Sequence, residues 1–255
     1  MIGDVVGSGG RKAVTSLLKN LRYELNIDFV TLQGENLAAG IGLTVETVTE
    51  MLEAGADVIT TGNHVWDKRE FIEHLDDPFL PVLRPLNYPT ENPGRGATDD
   101  SGPVAVISLI GRVWVGEFDS PFAVIDDLLA GGFGQGKPIV VDFHAEATSE
   151  KAALAWHLDG RVAAVVGTHT HVPTADCKVL PGGTGFVTDL GMVGAVDSIL
   201  GVEVEGSLAR FISGRRQRMQ PVRSGLINFN SILIDIDDTT GLAICVQRID
   251  RQIEI

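Results

Sequence analysis

Residues 162–171 read VAAVVGTHTH, a short apolar run that ends in a glycine, two threonines and two histidines. Apolar runs of this length and composition are typical of β-strands that are buried on both faces. In an extended segment the side chains of His169 and His171 share one face, whereas a loop could direct them at neighbouring cations. The stretch therefore predicts a buried strand whose carboxyl end carries two side chains able to bind metal.

Other segments show the same order of an apolar run followed by polar residues. Predicted strands cover residues 28–33, 57–61, 138–143 and 162–166, and a short one ends at Asp4. Ligands of open α/β sheets bind at the carboxyl ends of the strands, so the polar residues that follow are expected to meet at one edge. Only two residues precede Gly3, so the first strand is either short or begins upstream of this methionine.

Segments with apolar residues at helical spacing lie between the predicted strands. They cover residues 11–24, 45–54 and 149–158, with Thr148 as the expected N-cap of the third. This alternation of strands and helices predicts an α/β fold with mixed or parallel sheets.

The last part of the chain has a different pattern. Residues 225–236 and 241–250 resemble two strands joined by a turn at residues 237–240, which predicts a closing β-hairpin. No internal repeat is present, and the Pro- and Gly-rich stretch at residues 88–103 is typical of a surface loop rather than a domain linker. Residues 1–255 are therefore expected to form a single domain.

The composition is that of an ordinary globular protein, with 44% hydrophobic and 21% charged residues. No apolar run approaches the roughly 20 residues of a membrane span, and the N-terminus lacks a basic region and an apolar signal core. A cytoplasmic protein without a membrane partner is therefore expected. Cys177 and Cys245 lie far apart and outside any CxxC spacing, so reduced thiols are expected, with a single bridge as the alternative.

The formal net charge of −14 restricts the partners. A field of this sign repels polyanions, so tight binding of long DNA or RNA is not expected. A small phosphate ester is a different case, because bound cations reverse the local potential.

The residues at the predicted strand ends are those that bind hard or borderline cations. The candidate metal ligands are Asp4, Glu35, Asn36, Asn63, His144, His169 and His171. Each has a simpler explanation on its own: Asp4 could cap a helix, and a lone His144 would be more common as a buried structural histidine. Their convergence at one edge favours a metal site, and oxygen and nitrogen ligands without cysteine fit Fe, Mn or Zn.

A mixed carboxylate, amide and imidazole set suits phosphoester hydrolysis by two metals. Two cations about 3.5–4 Å apart hold a bridging hydroxide and polarise phosphoryl oxygens. His64, next to Asn63, is then the natural general acid. Thr170, Glu146 and Asp189 are further candidates for orienting the ligands, with ordinary strand-end hydrogen bonding as an equal alternative.

Five motifs in this order resemble those of the calcineurin-like metallophosphoesterases. They are GDVVG at residues 3–7, GEN at 34–36, GNHVWD at 62–67, DFHAEATSEK at 142–151 and GTHTHV at 167–172. The resemblance is closer to the bacterial YmdB family of 2′,3′-cyclic-nucleotide 2′-phosphodiesterases, for which the block HAEATSEK is highly specific. It extends from Gly3 to the C-terminal hairpin.

This resemblance implies a four-layer α/β/β/α sandwich with two mixed sheets flanked by helices, two metal ions per chain, often iron or manganese, and a homo-oligomer. It also implies a role for each matching residue. One metal would be held by Asp4, Asn36 and His171, and the other by Asn63, His144 and His169. Glu35 would bridge the two, and His64 would be the proton donor.

Three functions remain open from the sequence. The first is a phosphodiesterase acting on 2′,3′-cyclic nucleotides, and the second is a broader phosphomonoesterase or protein phosphatase that uses the same metals. The third is a metal-stabilised regulatory or interaction protein, which the presence of His64 disfavours because a scaffold needs no proton donor. The sequence favours the first.

Overall fold

The computed structural model describes residues 1–98 and 102–255. Its helices are α1 Gly7–Glu24, α2 Val45–Ala54, α3 Arg69–Ile72, α4 Pro121–Ala130, α5 Thr148–His157 and α6 Val204–Ser213, and a 3-10 turn covers Asn63–Trp66. Its strands are β1 Asp4–Val5, β2 Thr31–Gln33, β3 Val58–Thr60, β4 Val82–Leu83, β5 Ala105–Ile110, β6 Ile139–His144, β7 Ala164–Thr168, β8 Lys178–Val179, β9 Gly185–Val187, β10 Met192–Ala195, β11 Leu226–Phe229, β12 Ile232–Ile236, β13 Ala243–Arg248 and β14 Arg251–Glu254.

Two mixed β-layers form the centre of the fold. In the first, the order β1-β10-β11-β14 is joined to β2-β3-β4 because Ile2 pairs in parallel with Leu32. The second has the order β5-β6-β7-β9-β8, in which only β8 runs antiparallel to its neighbour. The β12–β13 hairpin lies beside it, where Ala243 N donates to Gly183 O.

The alternation of buried side chains shows that helices cover both outer faces. In β3, Ile59 packs into the apolar cluster with α1 and α2, whereas Val58 faces Val106 of the other sheet. In β7, Val165 packs with α4 and α5, whereas Val166 packs towards Ile232. Since successive strand residues point to opposite faces, these contacts define the four layers, and the predicted α/β/β/α sandwich is confirmed.

The first residues of α1 and α2 show why one predicted helix boundary is right and the other is wrong. Helix α2 matches the expected residues 45–54, because Thr44 and Thr47 form a reciprocal capping box. Helix α1 begins at Gly7 rather than at residue 11. Its first turn is rich in glycine because it lies against β10: a Cβ at Gly10 would be 2.3 Å from Val193 O.

Two local expectations are wrong. Thr148 is the first residue of α5 and makes no capping hydrogen bond, and Ala147 occupies the N-cap position. The segment 225–236 is two strands, because the chain passes from one sheet to the other at Ser231, whose backbone N–H donates to Asp250 Oδ1. The predicted hairpin is confirmed for β12 and β13.

Three further observations concern the chain as a whole. Strand β1 has two residues, Asp4 and Val5. Cys177 is partly buried and Cys245 exposed, both as free thiols. Across the described ranges, none of the helices has the length and apolar character needed to cross a membrane.

Candidate metal centre

All eight predicted site residues lie at one edge of the two sheets. Asp4 is in β1, Glu35 and Asn36 follow β2, and Asn63 and His64 follow β3 in the 3-10 turn. His144 ends β6, and His169 and His171 follow β7. The carboxyl ends of strands from both layers therefore meet here, as expected for a ligand site of an α/β sheet.

One group of side chains is already in close contact, and we call it the Glu35 cluster: Glu35, His144 and His169. His144 Nε2 lies 3.0 Å from Glu35 Oε1 and 3.0 Å from His169 Nδ1. One donor atom from each of the three side chains lies within 4.8 Å of the other two. This spacing suits a single cation placed between them.

A second group is more open, and we call it the Asp4 cluster: Asp4, Asn36 and His171. His171 Nε2 lies 3.7 Å from Asp4 Oδ1 and 3.4 Å from Asn36 Nδ2. The two clusters adjoin, because the backbone N–H of His169 donates to Asp4 Oδ2 at 3.2 Å. The structure therefore brings Asp4, Asn36 and His171 together beside His144 and His169, and the assignment of these residues to two metals stays a prediction.

Gly62, which follows β3, lies directly against the Glu35 cluster. A Cβ at this position would lie 2.3 Å from His144 Nε2 and 2.6 Å from Glu35 Oε2. Only glycine leaves this space, so the following Asn63 can reach the edge.

Three predicted ligands have a buried oxygen without a hydrogen-bond partner. Among the described residues, only five buried side-chain atoms lack a partner, and three of them are Asp4 Oδ1, Asn36 Oδ1 and Asn63 Oδ1. Buried polar atoms are otherwise almost always satisfied, since an unpaired one costs free energy. Three such oxygens beside three imidazoles fit a site for oxygen- and nitrogen-bound cations.

The surroundings of the Glu35–His144 pair favour Glu35 as a carboxylate and His144 as a protonated imidazolium. Burial alone would raise the pKa of Glu35, but the charge of His144 and the backbone N–H of His64 bring it below its ordinary value. Burial alone would lower the pKa of His144, but Glu35, Asp4 and Asp142 raise it. A cation that takes His144 Nε2 as a ligand would therefore displace a proton.

The pKa values of Asp4 and His169 shift in the opposite directions, which favours their neutral forms. Burial raises the pKa of Asp4, although His171 and His144 partly offset this. Burial and the charge of His144 lower the pKa of His169 to about 3. His169 is thus held as the neutral imidazole that a metal requires.

Buried side chains that the sequence analysis missed fix the orientation of His144. Its Nδ1 lies 3.0 Å from Gln33 Nε2 and 3.0 Å from Thr168 Oγ1. The Thr168 hydroxyl donates in turn to Asp142 Oδ1, and burial raises the pKa of that carboxyl to about 7. Polar partners behind a metal-binding histidine fix its ring and tautomer.

A buried ion pair holds the loop that carries His169 and His171. Asp189 Oδ2 accepts from Lys151 Nζ at 2.7 Å and from the backbone N–H and hydroxyl of Thr170. Both histidines have positive φ angles, 99° and 65°, a conformation that persists only when the surroundings enforce it.

The same ion pair also reaches the Asp4 cluster. Asp189 Oδ1 accepts from Gly191 N, whose carbonyl accepts from Asp4 N at 3.1 Å. Lys151 was missed by the sequence analysis, although a lysine on the apolar face of a predicted helix is a usable signal.

His64 lies at the exposed side of the centre. Its backbone N–H donates to Glu35 Oε2 at 3.0 Å, and its Nδ1 lies 2.5 Å from the Asp67 carboxylate. The contact with Asp67 orients the ring through Nδ1, and the backbone contact holds His64 beside Glu35. Glu146, a further residue considered above, contacts His169 through its carboxylate at 3.3 Å.

The four-layer sandwich and the cluster of oxygen and nitrogen donors at its strand ends define a protein of the metallophosphoesterase type. A family model described as YmdB-like protein matches residues 1–249. The chain therefore belongs to the YmdB-like family.

Named relatives and solved structures agree with this family. A Bacillus subtilis protein named 2′,3′-cyclic-nucleotide 2′-phosphodiesterase is 44% identical over 97% of this chain and 94% of its own length. A Mycoplasma pneumoniae protein named putative phosphatase/phosphodiesterase is 32% identical over 97% of this chain and 90% of its own.

Two crystal structures have the same fold. A hypothetical protein from Thermus thermophilus has a TM-score of 0.91 and 40% identity, covering 98% of this chain and 97% of its own. A structure titled as a novel phosphatase from Mycoplasma pneumoniae has a TM-score of 0.92 and 31% identity, covering 99% of this chain and 92% of its own.

Proposed function

We propose that this protein is a dinuclear metal-dependent phosphodiesterase that hydrolyses 2′,3′-cyclic nucleotides to 3′-nucleotides. The observation that carries the proposal is the set of three unpaired buried oxygens, on Asp4, Asn36 and Asn63, beside the imidazoles of the same edge. The substrate class is supported by the name of the Bacillus subtilis relative, which matches 97% of this chain.

The proposed ligand sets are the two clusters with Asn63 added and Glu35 shared between them. Asp4, Asn36 and His171 would hold one cation, and Asn63, His144 and His169 the other. Glu35 would bridge the two cations: its contacts with His144 and the His64 backbone support a position beside the second set, and the hydrogen bond from His169 N to Asp4 Oδ2 supports the closeness of the two sets. Iron and manganese are the expected metals, and zinc also fits this donor set.

When bound, two cations would supply an activated water and polarise the phosphoryl oxygens. A side chain of this protein would then protonate the leaving group. As the attacking oxygen bonds to phosphorus and the 2′ P–O bond breaks, His64 would donate its proton to the departing 2′ oxygen. The products are the 2′ hydroxyl and a 3′ phosphate, and Asp67 keeps the His64 ring in position.

A second candidate is a phosphatase of broader specificity at the same centre. It is favoured by the similar structure from Mycoplasma pneumoniae, which is described as a novel phosphatase. A comparison of 2′,3′-cyclic AMP, p-nitrophenyl phosphate and a phosphopeptide, each measured as kcat/KM, separates the two. We expect cyclic AMP to be preferred and to yield 3′-AMP. Equal or better turnover of the phosphomonoesters would instead favour the broader phosphatase.

A further inference from the structure

The chain between β5 and α4, residues 111–120, borders the metal centre, and we call it the β5–α4 loop. Strand β5 lies beside β6, with Ile110 opposite His144. Directly after the strand, Gly111 N donates to the His144 carbonyl at 2.9 Å. The loop therefore begins beside a residue of the Glu35 cluster.

The far end of the loop is attached to the turn that carries His64. The Phe118 ring packs edge-on against Tyr88 at 4.9 Å between centroids, and Tyr88 packs edge-on against Trp66 at 5.3 Å. Trp66 is the last residue of the 3-10 turn that contains His64. The β5–α4 loop thus runs along the metal centre from its His144 side to its His64 side.

Two polar side chains fix the course of this loop. The buried Asn87 closes its base, because Nδ2 donates to Ile110 O at 2.8 Å and to Asp119 O at 3.0 Å. The Glu150 carboxylate accepts from the backbone N–H groups of residues 112 and 113 at 2.9 and 3.1 Å. The residue that follows, Trp114, is therefore presented by a backbone that is already ordered.

Trp114 has an unusual backbone and an unusual exposure. Its φ angle is 63°, in the left-handed region that bulky side chains rarely adopt. The side chain is 85% exposed, so burial of the ring does not offset this strain. Strained residues persist where their surroundings enforce them, and they cluster at ligand clamps.

We propose that Trp114 is the platform on which the nucleobase of the substrate stacks while the cyclic phosphate lies at the metal centre. This inference rests on the proposed function and concerns the part of the substrate that the metals do not contact. Unpaired bases stack on exposed aromatic side chains through their π faces. Since the loop is held before the substrate arrives, little ordering is needed on binding.

The shape of the indole also predicts a preference among bases. A purine overlaps a two-ring side chain over a larger area than a pyrimidine does, and stacking strength sets such preferences. The native protein should therefore have a higher kcat/KM for 2′,3′-cyclic AMP than for 2′,3′-cyclic UMP, and the ratio should fall when the indole is removed.

Two substrates with the same cyclic ester test the stacking. Trp114→Asn removes the ring and keeps a residue that tolerates the left-handed backbone. Its kcat/KM for 2′,3′-cyclic AMP should fall about 5- to 150-fold, the range for loss of one base–aromatic stack. Glycerol 1,2-cyclic phosphate has no base, so its turnover should not fall. Trp114→Phe should retain most of the activity on the nucleotide.

Trp156 provides the matched control. It is 57% exposed and lies near the end of α5, away from the strand ends at which this helix begins. Trp156→Ala should leave the turnover of both substrates at the native level. An equal loss on both substrates in Trp114→Asn, or native turnover of the nucleotide, would overturn the proposal.

A binding measurement separates this inference from the proposed function. Stacking of adenine quenches indole fluorescence, so titration of the metal-loaded protein with 3′-AMP should quench its emission. Trp114→Phe should abolish that quenching and Trp156→Phe should retain it. A protein that hydrolyses no cyclic nucleotide would refute the proposed function, and the quenching would still decide whether Trp114 binds a base. Native protein without quenching, or the same quenching in Trp114→Phe, would overturn the stacking.

Discussion

The two halves of the candidate metal centre are held in different ways. The Glu35 cluster is closed before any cation arrives, with His144 at 3.0 Å from both partners and further buried groups behind its ring. The Asp4 cluster has longer separations of 3.4 and 3.7 Å and two unpaired oxygens. The fold thus preorganises one half through its own ion pair, whereas the other half lacks partners that a cation would supply.

The largest effect is expected at Glu35, because its carboxylate connects the halves. Glu35→Ala should lose both metals or their spacing, and activity should fall by more than the roughly thousandfold cost of one electrostatic group. Metal content by mass spectrometry and turnover of 2′,3′-cyclic AMP measure the two effects. Two metals with native activity in this variant would rule out the bridge.

The next largest effect is expected at His64, and it should leave the metals of both clusters in place. His64→Ala should keep its metals but lower kcat by about 10²–10⁴-fold for substrates with poor leaving groups, as for loss of a general acid. A substrate with a p-nitrophenolate leaving group is the control, because it needs little protonation and should be affected much less. Loss of metal from this variant would make His64 a ligand instead.

Stability without metal should distinguish the two halves directly. His144→Ala leaves the buried Glu35 carboxylate unpaired, so it should destabilise the chelator-treated protein by roughly 3–5 kcal/mol. His171→Ala breaks no comparable ion pair and should have a much smaller effect. Denaturant unfolding of both variants gives the comparison. Equal losses of unfolding free energy would show that the two halves are not organised differently.

The smallest effect concerns the loop that joins the halves. Replacing Lys151 by Met leaves Asp189 buried without its cation, so the loop carrying His169 and His171 should lose its fixed position. We expect metal affinity to fall about 10–100-fold, as for loss of other outer partners of metal ligands.

A double variant controls for general destabilisation. Lys151→Met with Asp189→Asn removes both charges and should recover stability in denaturant, while metal affinity measured by calorimetry stays reduced. Native metal affinity in the single variant would show that the ion pair stabilises the fold only.

The sequence predicted the polar residues at the strand ends better than the side chains that pack behind them. Residues such as Glu35 and His144 were predictable because they follow apolar runs, and ligands bind at the carboxyl ends of strands. Gln33, Thr168 and Lys151 were missed, because each lies within a strand or helix and only the three-dimensional fold brings it behind a ligand. The assignment of the eight residues to metal binding and catalysis stays a prediction.

Elements were missed where packing overrides local pattern. The glycine-rich start of α1 reads as a loop, yet the glycines allow the close contact with β10. The crossing at Ser231 divides residues 225–236, which the sequence predicts as one strand, between two sheets, and periodicity alone does not reveal the crossing. Helix α6 went unrecognised, and its apolar residues Val204, Leu208, Phe211 and Ile212 are exposed.

The most direct test of the central claim is the metal content of protein purified without added metal, measured with hydrolysis of 2′,3′-cyclic AMP by the same sample. We predict about two metals per chain and 3′-AMP as the product. A protein that holds no metal and stays inactive after iron or manganese is restored would contradict the account.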